Sequence, residues 1–178
     1  MVFVVLGASE SGKAALIQEF VRQGCVRVIT NTTRPRCDTE AADAYNFLKH
    51  YEFQAKIAQG ELLEYSEYAG YWYGTSAGSI TDNSVISVET KGFYALKNVL
   101  PYKLYAIYLK VDSQLRTHRV IARGGSLIKF SYRLDIDKHR FDEKFEADAD
   151  IIITNPRIDA YSELVQKCIE QSKRLVLV

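Results

Sequence analysis

The stretch that most narrows the possible folds is residues 2–13, where a continuous apolar run, Val2-Phe3-Val4-Val5-Leu6, ends on Gly7-Ala8-Ser9-Glu10-Ser11-Gly12-Lys13. A β-branched run without polar alternation suits a parallel strand covered on both faces. Beyond Lys13, the residues Leu16, Ile17, Phe20 and Val21 recur at helical spacing, and Gly24 offers a left-handed stop. A glycine loop between strand and helix lets successive N–H groups converge where the helix N-terminus adds its partial positive charge. The spacing G-x-x-x-x-G-K in that setting predicts a phosphate-binding loop, residues 7–13, with Lys13 reaching the transferred or β-phosphate of a bound nucleotide. A plain strand-to-helix turn carrying a surface lysine is the bland alternative, and the context disfavours it. Residue 14 is Ala, where the motif normally supplies a hydroxyl to Mg²⁺.

The rest of the chain alternates in the same manner. Val26–Ile29, Val85–Val88, Leu104–Val111 and Ile151–Ile153 read as further core strands. Helices are expected from His50 to Gln59, Phe93 to Val99, Asp112 or Ser113 to Arg123, Lys129 to Ala147 and Ala160 to Ser172, before an apolar tail Leu175–Val178. Gly124-Gly125 breaks the third of these and is a plausible hinge. Residues 30–43 are turn-forming, and 62–75, rich in tyrosine and acid, suit extended chain in a small lobe facing the loop. Alternating strands and helices imply an α/β fold with a central parallel sheet. No linker or repeat divides it, so the 178 residues are expected to form one domain.

Lysine and arginine total 23 against 22 acids, for a net charge of +1, which excludes a strong general pull on nucleic acid or anionic membrane. Anion binding must therefore be local. The opening apolar run is too short for a membrane span. Three scattered cysteines, Cys25, Cys37 and Cys168, contain no C-x-x-C pair and point to a reducing cytoplasm. His50, His118 and His139 lie in polar surroundings and receive no catalytic role.

Downstream strings then appear in a telling order: Thr32-Thr33-Arg34-Pro35-Arg36, Tyr45-Asn46-Phe47, Gly60-Glu61-Leu62-Leu63-Glu64-Tyr65 and Gly70-Tyr71-Trp72-Tyr73-Gly74-Thr75. With the phosphate loop, this series resembles guanylate kinase from the loop to about Asn155. The resemblance implies a P-loop NTPase three-layer fold with an inserted GMP-binding lobe and a helical lid. The core would span about 1–30, 84–112 and 148–178, the lobe about 31–83 and the lid about 113–147. It implies ATP at Gly7, Ala8, Ser9, Glu10, Ser11, Gly12, Lys13 and Ala14, with Asn155 near the adenine. Arg34, Arg36, Tyr45 and Tyr73 would hold the GMP phosphate, and Glu64, Thr30 and Thr75 the guanine edge, with Glu89 nearby. Planar guanidinium forks and phenol hydroxyls suit a phosphate, and a carboxylate can accept from guanine N1–H and its exocyclic amine. Lys13, Arg123 and Arg133 would spread the charge that develops in transfer.

The chain also departs from that pattern. Ala14 lacks a metal-binding hydroxyl, and Ser87 stands where the family has the first aspartate of D-x-D-x-x-G, leaving Glu89 as the remaining acid. The arginine loop is one residue shorter, and Gly124-Gly125-Ser126-Leu127-Ile128-Lys129 replaces a threonine- and acid-rich lid segment. ATP and Mg²⁺ are the expected cofactors, with no protein metal ligand assigned. The expected partners are small-molecule nucleotides, with no nucleic acid and no membrane. The leading expectation is phosphoryl transfer from ATP to GMP, slowed by the depleted metal site. The alternatives are a noncatalytic guanylate-kinase-like binding module and a kinase for another phosphorylated metabolite.

Overall fold

The computed structural model describes residues 1–38, 40–100, 103–140 and 143–176. Its strands are β1 (Val2–Gly7), β2 (Val26–Arg27), β3 (Asn31–Thr32), β4 (Asn46–Phe47), β5 (Leu62–Tyr68), β6 (Tyr71–Ser76), β7 (Ser84–Ser87), β8 (Leu104–Lys110) and β9 (Ile151–Thr154). Its helices are α1 (Lys13–Arg22), α2 (His50–Ala58), α3 (Thr90–Val99), α4 (Ser113–Ala122), α5 (Leu127–Asp137), α6 (Glu143–Asp148) and α7 (Tyr161–Val176).

Strands β2-β7-β1-β8-β9 form a five-stranded sheet, parallel throughout, with β1 at its centre. Every residue of β1 is buried, and its side chains alternate between two cores. Phe3 and Val5 meet Leu16, Ile17 and Phe20 of α1 and Val165 and Cys168 of α7. Val2, Val4 and Leu6 meet Phe93 and Leu96 of α3 and Phe145 of α6 on the opposite face. The result is three layers, helix on sheet on helix. Each such side chain is worth about 1.5–3 kcal/mol relative to an exposed one.

After β2 the chain leaves this sheet, builds a second one ordered β4-β3-β6-β5, and returns at β7. The antiparallel pair β5–β6 turns at Ala69-Gly70, both at positive φ (52° and 81°), the twist a two-residue hairpin needs. Phe53 of α2 is fully buried beneath this small sheet, with its ring 6.1 Å from that of Trp72.

Two expectations need correction. The strand expected over Val26–Ile29 pairs only at Val26–Arg27. The Val28 N–H still reaches the Val85 carbonyl (3.0 Å), after which the chain swings into the second sheet at Asn31. The single helix expected over Lys129–Ala147 is divided into α5 and α6. Asp137 ends α5 because its carboxylate is drawn inward, and the Arg140 N–H closes a turn on the Asp137 carbonyl (3.1 Å). Helix α7 runs on through residues 175 and 176, and the last two residues of the expected tail lie outside the described residues. Among the described residues no helix is long and apolar enough to cross a membrane.

Candidate active site

The loop after β1 is shaped by its glycines. Gly7 has φ 150° and Gly12 φ 100°, both in the region that disfavours side chains. A Cβ at Gly7 would stand 2.7 Å from Ser11 Oγ and 2.9 Å from the Leu109 carbonyl, and one at Gly12 would strike the Tyr161 hydroxyl. Lys13 folds back over this loop, its Nζ donating to the carbonyls of Gly7 (2.6 Å) and Ala8 (2.9 Å). Burial pushes the Lys13 ammonium below its ordinary pKa, against the attraction of Glu89, Asp137 and Glu10. Ala14 is exposed on the first turn of α1 and brings no polar side-chain atom.

Helix α4 holds the loop from outside. Arg119 donates to the carbonyls of Glu10 (3.1 Å), Ser11 (2.8 Å) and Pro156 (3.0 Å). Arg123 pairs with Glu10 at 2.6 Å, and Arg133 from α5 approaches the same carboxylate at 3.5 Å. The two arginines singled out in the lid thus converge on Glu10 of the loop, Arg123 from the C-cap of α4 and Arg133 from α5. Glu89, at the N-terminus of α3, pairs with Arg140 at 3.2 Å. Burial pushes the Glu89 carboxyl above its ordinary pKa, with Lys13 and Arg140 opposing that shift. Asn155 is spent on the chain itself: its Oδ1 accepts the Asp112 N–H (2.9 Å) and its Nδ2 donates to the Asp112 carboxylate (2.7 Å).

The second cluster lies in the small lobe. The Arg34 guanidinium lies over the Tyr45 ring at 5.4 Å, and the rings of Tyr45 and Tyr73 meet edge-on at 6.1 Å. Glu40 binds Arg34 through both oxygens (2.9 and 2.6 Å). Arg36 is exposed and donates to the Glu40 carbonyl (3.0 Å). Deeper in, Thr75, fully buried, donates to Glu64 Oε1 at 2.5 Å. Gly92 leaves room for the other oxygen, since a Cβ there would sit 2.5 Å from Glu64 Oε2. Burial raises the Glu64 pKa to about 7, opposed by the Thr75 hydrogen bond and assisted by Glu89. Thr30 is buried at the entry to the lobe, where its carbonyl accepts the Asn46 N–H at 2.9 Å.

Three residues in this region were missed by sequence reasoning. Tyr68, at the end of β5, bonds the Ser9 hydroxyl and donates to Asp137 Oδ1 (2.9 Å). Arg116 and Asp137 form a buried ion pair at 2.9 Å beside the loop. A signal for the last two existed: Arg116 shares the buried stripe of α4 with Val120, and Asp137 that of α5 with Phe130, so each is a charge in an apolar row.

The family model described as guanylate kinase matches residues 1–172. Protein PALS2 of Mus musculus is 25% identical over 185 aligned residues, covering 94% of this chain and 34% of that protein. The chain therefore spans about a third of the length of that relative. The guanylate kinase of Thermosynechococcus vestitus is 30% identical over 131 residues, 68% of each chain. Among solved structures, guanylate kinase from Anaplasma phagocytophilum aligns with a TM-score of 0.66 at 20% identity, over 96% of this chain and 85% of that one, a likeness of fold.

Proposed function

The chain belongs to the guanylate kinase family, and from that premise we propose that it transfers the γ-phosphoryl group of ATP to GMP, forming ADP and GDP. The observation that carries this reading is Glu64. Its carboxylate is buried, fixed by Thr75 through one oxygen, and given space on the other by Gly92. A buried carboxylate needs further donors, and guanine supplies adjacent N1–H and N2–H groups of the right polarity.

Arg34, Tyr45 and Tyr73 take the GMP phosphate, which replaces Glu40 on the Arg34 fork. The loop N–H groups and Lys13 hold the donor phosphates. An oxygen of the GMP phosphate attacks the γ-phosphorus, and the bond to the β–γ bridging oxygen breaks, leaving ADP. That oxygen is already ionised, so no general base is required. Arg123 and Arg133 turn from Glu10 toward the charge that develops on the transferred group.

The family works with ATP and Mg²⁺. The residues present do not form a metal cage of the chain's own: Ala14 and Ser87 offer no carboxylate, and Glu89 is engaged by Arg140. Among the described residues no group of three or more His, Cys, Asp or Glu is placed to hold a cation.

Calorimetric titration with GMP, AMP and a hexose phosphate tests the choice of acceptor. Wild type is expected to prefer GMP, and Glu64→Ala to weaken GMP by about a hundredfold while leaving ATP unchanged. A hexose phosphate binding more tightly than GMP would instead favour a kinase for another metabolite. GMP affinity untouched by Glu64→Ala would remove the basis for guanine selection.

A further inference from the structure

Among the described residues the most deeply buried ion pair is Arg116–Asp137, whose side chains are 9% and 4% exposed. Nothing in the proposed transfer uses it, yet it sits on the phosphate loop. Asp137 Oδ2 accepts both the Ser9 N–H (2.9 Å) and Arg116 Nη1 (2.9 Å), while Oδ1 accepts the Tyr68 hydroxyl (2.9 Å). The same Arg116 Nη1 donates to the Ser9 carbonyl at 3.2 Å.

Two physical points make this more than a structural tie. First, Asp137 is the last residue of α5, where the helix carries its partial negative charge and a carboxylate is disfavoured. It is kept there by donors that lie elsewhere: a loop N–H, a guanidinium and a phenol. Those are the groups that bind a phosphate oxygen. Second, Arg116 has donor capacity to spare. Its Nε is buried without a partner among the described residues, and the residue lines a cleft of about 230 Å³ together with Ala8, Lys110 and Asp137. Lys13 lies close enough to feel both members of the pair, Asp137 raising its pKa and Arg116 lowering it.

We propose that Asp137 stands in for a phosphate on the loop of the nucleotide-free protein, and that Arg116, which it neutralises there, is a further phosphate-binding residue. This inference rests on the nucleotide reading above. When ATP arrives, a phosphate oxygen replaces Asp137 on the Ser9 N–H and on the Arg116 guanidinium. The end of α5 is then released from the loop, which links donor binding to the placement of the helix that carries Arg133.

The test is calorimetric titration of ATP with Mg²⁺ into wild type, Asp137→Asn, Arg116→Met and the double variant, each checked for a cooperative melt. Asp137→Asn removes the competing charge and is expected to tighten ATP by about tenfold or more, with GMP affinity within about twofold of wild type. Comparing the double variant with Asp137→Asn isolates Arg116, because neither carries the aspartate charge. The double variant is expected to bind ATP at least about tenfold more weakly than Asp137→Asn. If Asp137→Asn fails to melt cooperatively, Asp137→Ala paired with Arg116→Leu leaves no buried charge unpaired. That pair is compared with Arg116→Met, which keeps the aspartate: it should bind ATP about tenfold more tightly, and equal or weaker binding would overturn the occupancy. Equal ATP affinity in wild type and Asp137→Asn would also overturn it. A double variant matching Asp137→Asn would overturn the role of Arg116. Absence of ATP uptake by every protein would sink the nucleotide reading itself, and this inference with it.

Discussion

The donor and acceptor ends proposed for this site are built from different materials. Around the loop the proposed donor site rests on the path of the backbone, set by Gly7 and Gly12 at positive φ, with basic side chains led by Lys13 added to it. In the small lobe the proposed acceptor site is made of side chains: Arg34, Tyr45 and Tyr73 cluster for the phosphate in this reading, and Glu64 with Thr75 for the base. A backbone site is indifferent to most substitutions as long as the path of the chain is kept. A side-chain site loses function one residue at a time. On that reading, Ala14 and Ser87 leave the path of the loop intact, while the lobe carries Glu64 and Thr75, the groups proposed to face guanine.

The largest loss is expected from Gly12→Ala. A Cβ there strikes the Tyr161 hydroxyl and is strained at φ 100°, so the loop path itself must change. ATP binding is expected to fall by about a hundredfold or more, with GMP binding in the lobe preserved. ATP binding that survives Gly12→Ala would show that the loop is not what holds the donor.

A second prediction uses pH and concerns the acceptor end. Glu64 must be ionised to accept from guanine, and burial lifts its pKa to about 7. GMP affinity should therefore rise by about tenfold between pH 6 and pH 8, beyond the change due to the nucleotide's own phosphate. Glu64→Gln should abolish that increment, and an unchanged profile in Glu64→Gln would place the titrating group elsewhere. The same shift acts on stability with the opposite sense. The folded pKa lies above the ordinary value of 4.5, so the contribution of Glu64 is fully present below that value and is lost as pH rises through about 7. Relative to Glu64→Gln, the free protein should lose roughly 3 kcal/mol across that interval, read from urea midpoints.

The smallest expected effect sharpens the donor side. Ala14→Ser returns a hydroxyl to an exposed position on the first turn of α1. It is expected to raise the transfer rate by about threefold to tenfold at saturating Mg²⁺, without altering GMP affinity. A rate unmoved by Ala14→Ser would show that the missing hydroxyl does not limit the reaction.

The sequence made the central architecture legible because its signals are local. An apolar run, a glycine spacing and a helical stripe all fall within residues 2–21, and they place β1, the loop and α1 directly. The strings from Thr32 to Thr75 likewise mark the lobe. Contacts between distant segments left no such trace. Ser9 and Asp137 are 128 positions apart, and nothing in either neighbourhood announces the other. The division of α5 from α6 was hidden for the same reason: the charged run after Leu134 reads as a continuous solvated helix until Asp137 is seen to turn inward. For Asn155 and Arg36 the resemblance implied nucleotide contacts; their side chains are bonded to Asp112 and to the Glu40 carbonyl, partners that sequence did not suggest.

Incubating the protein with ATP, GMP and Mg²⁺ and quantifying GDP by chromatography beside Lys13→Ala asks whether the two ends act together on one phosphoryl group. If they do, wild type forms GDP, and Lys13→Ala forms about two to three orders of magnitude less. No GDP from wild type above the Lys13→Ala background would contradict joint action and leave a nucleotide-binding or partner-binding module in its place.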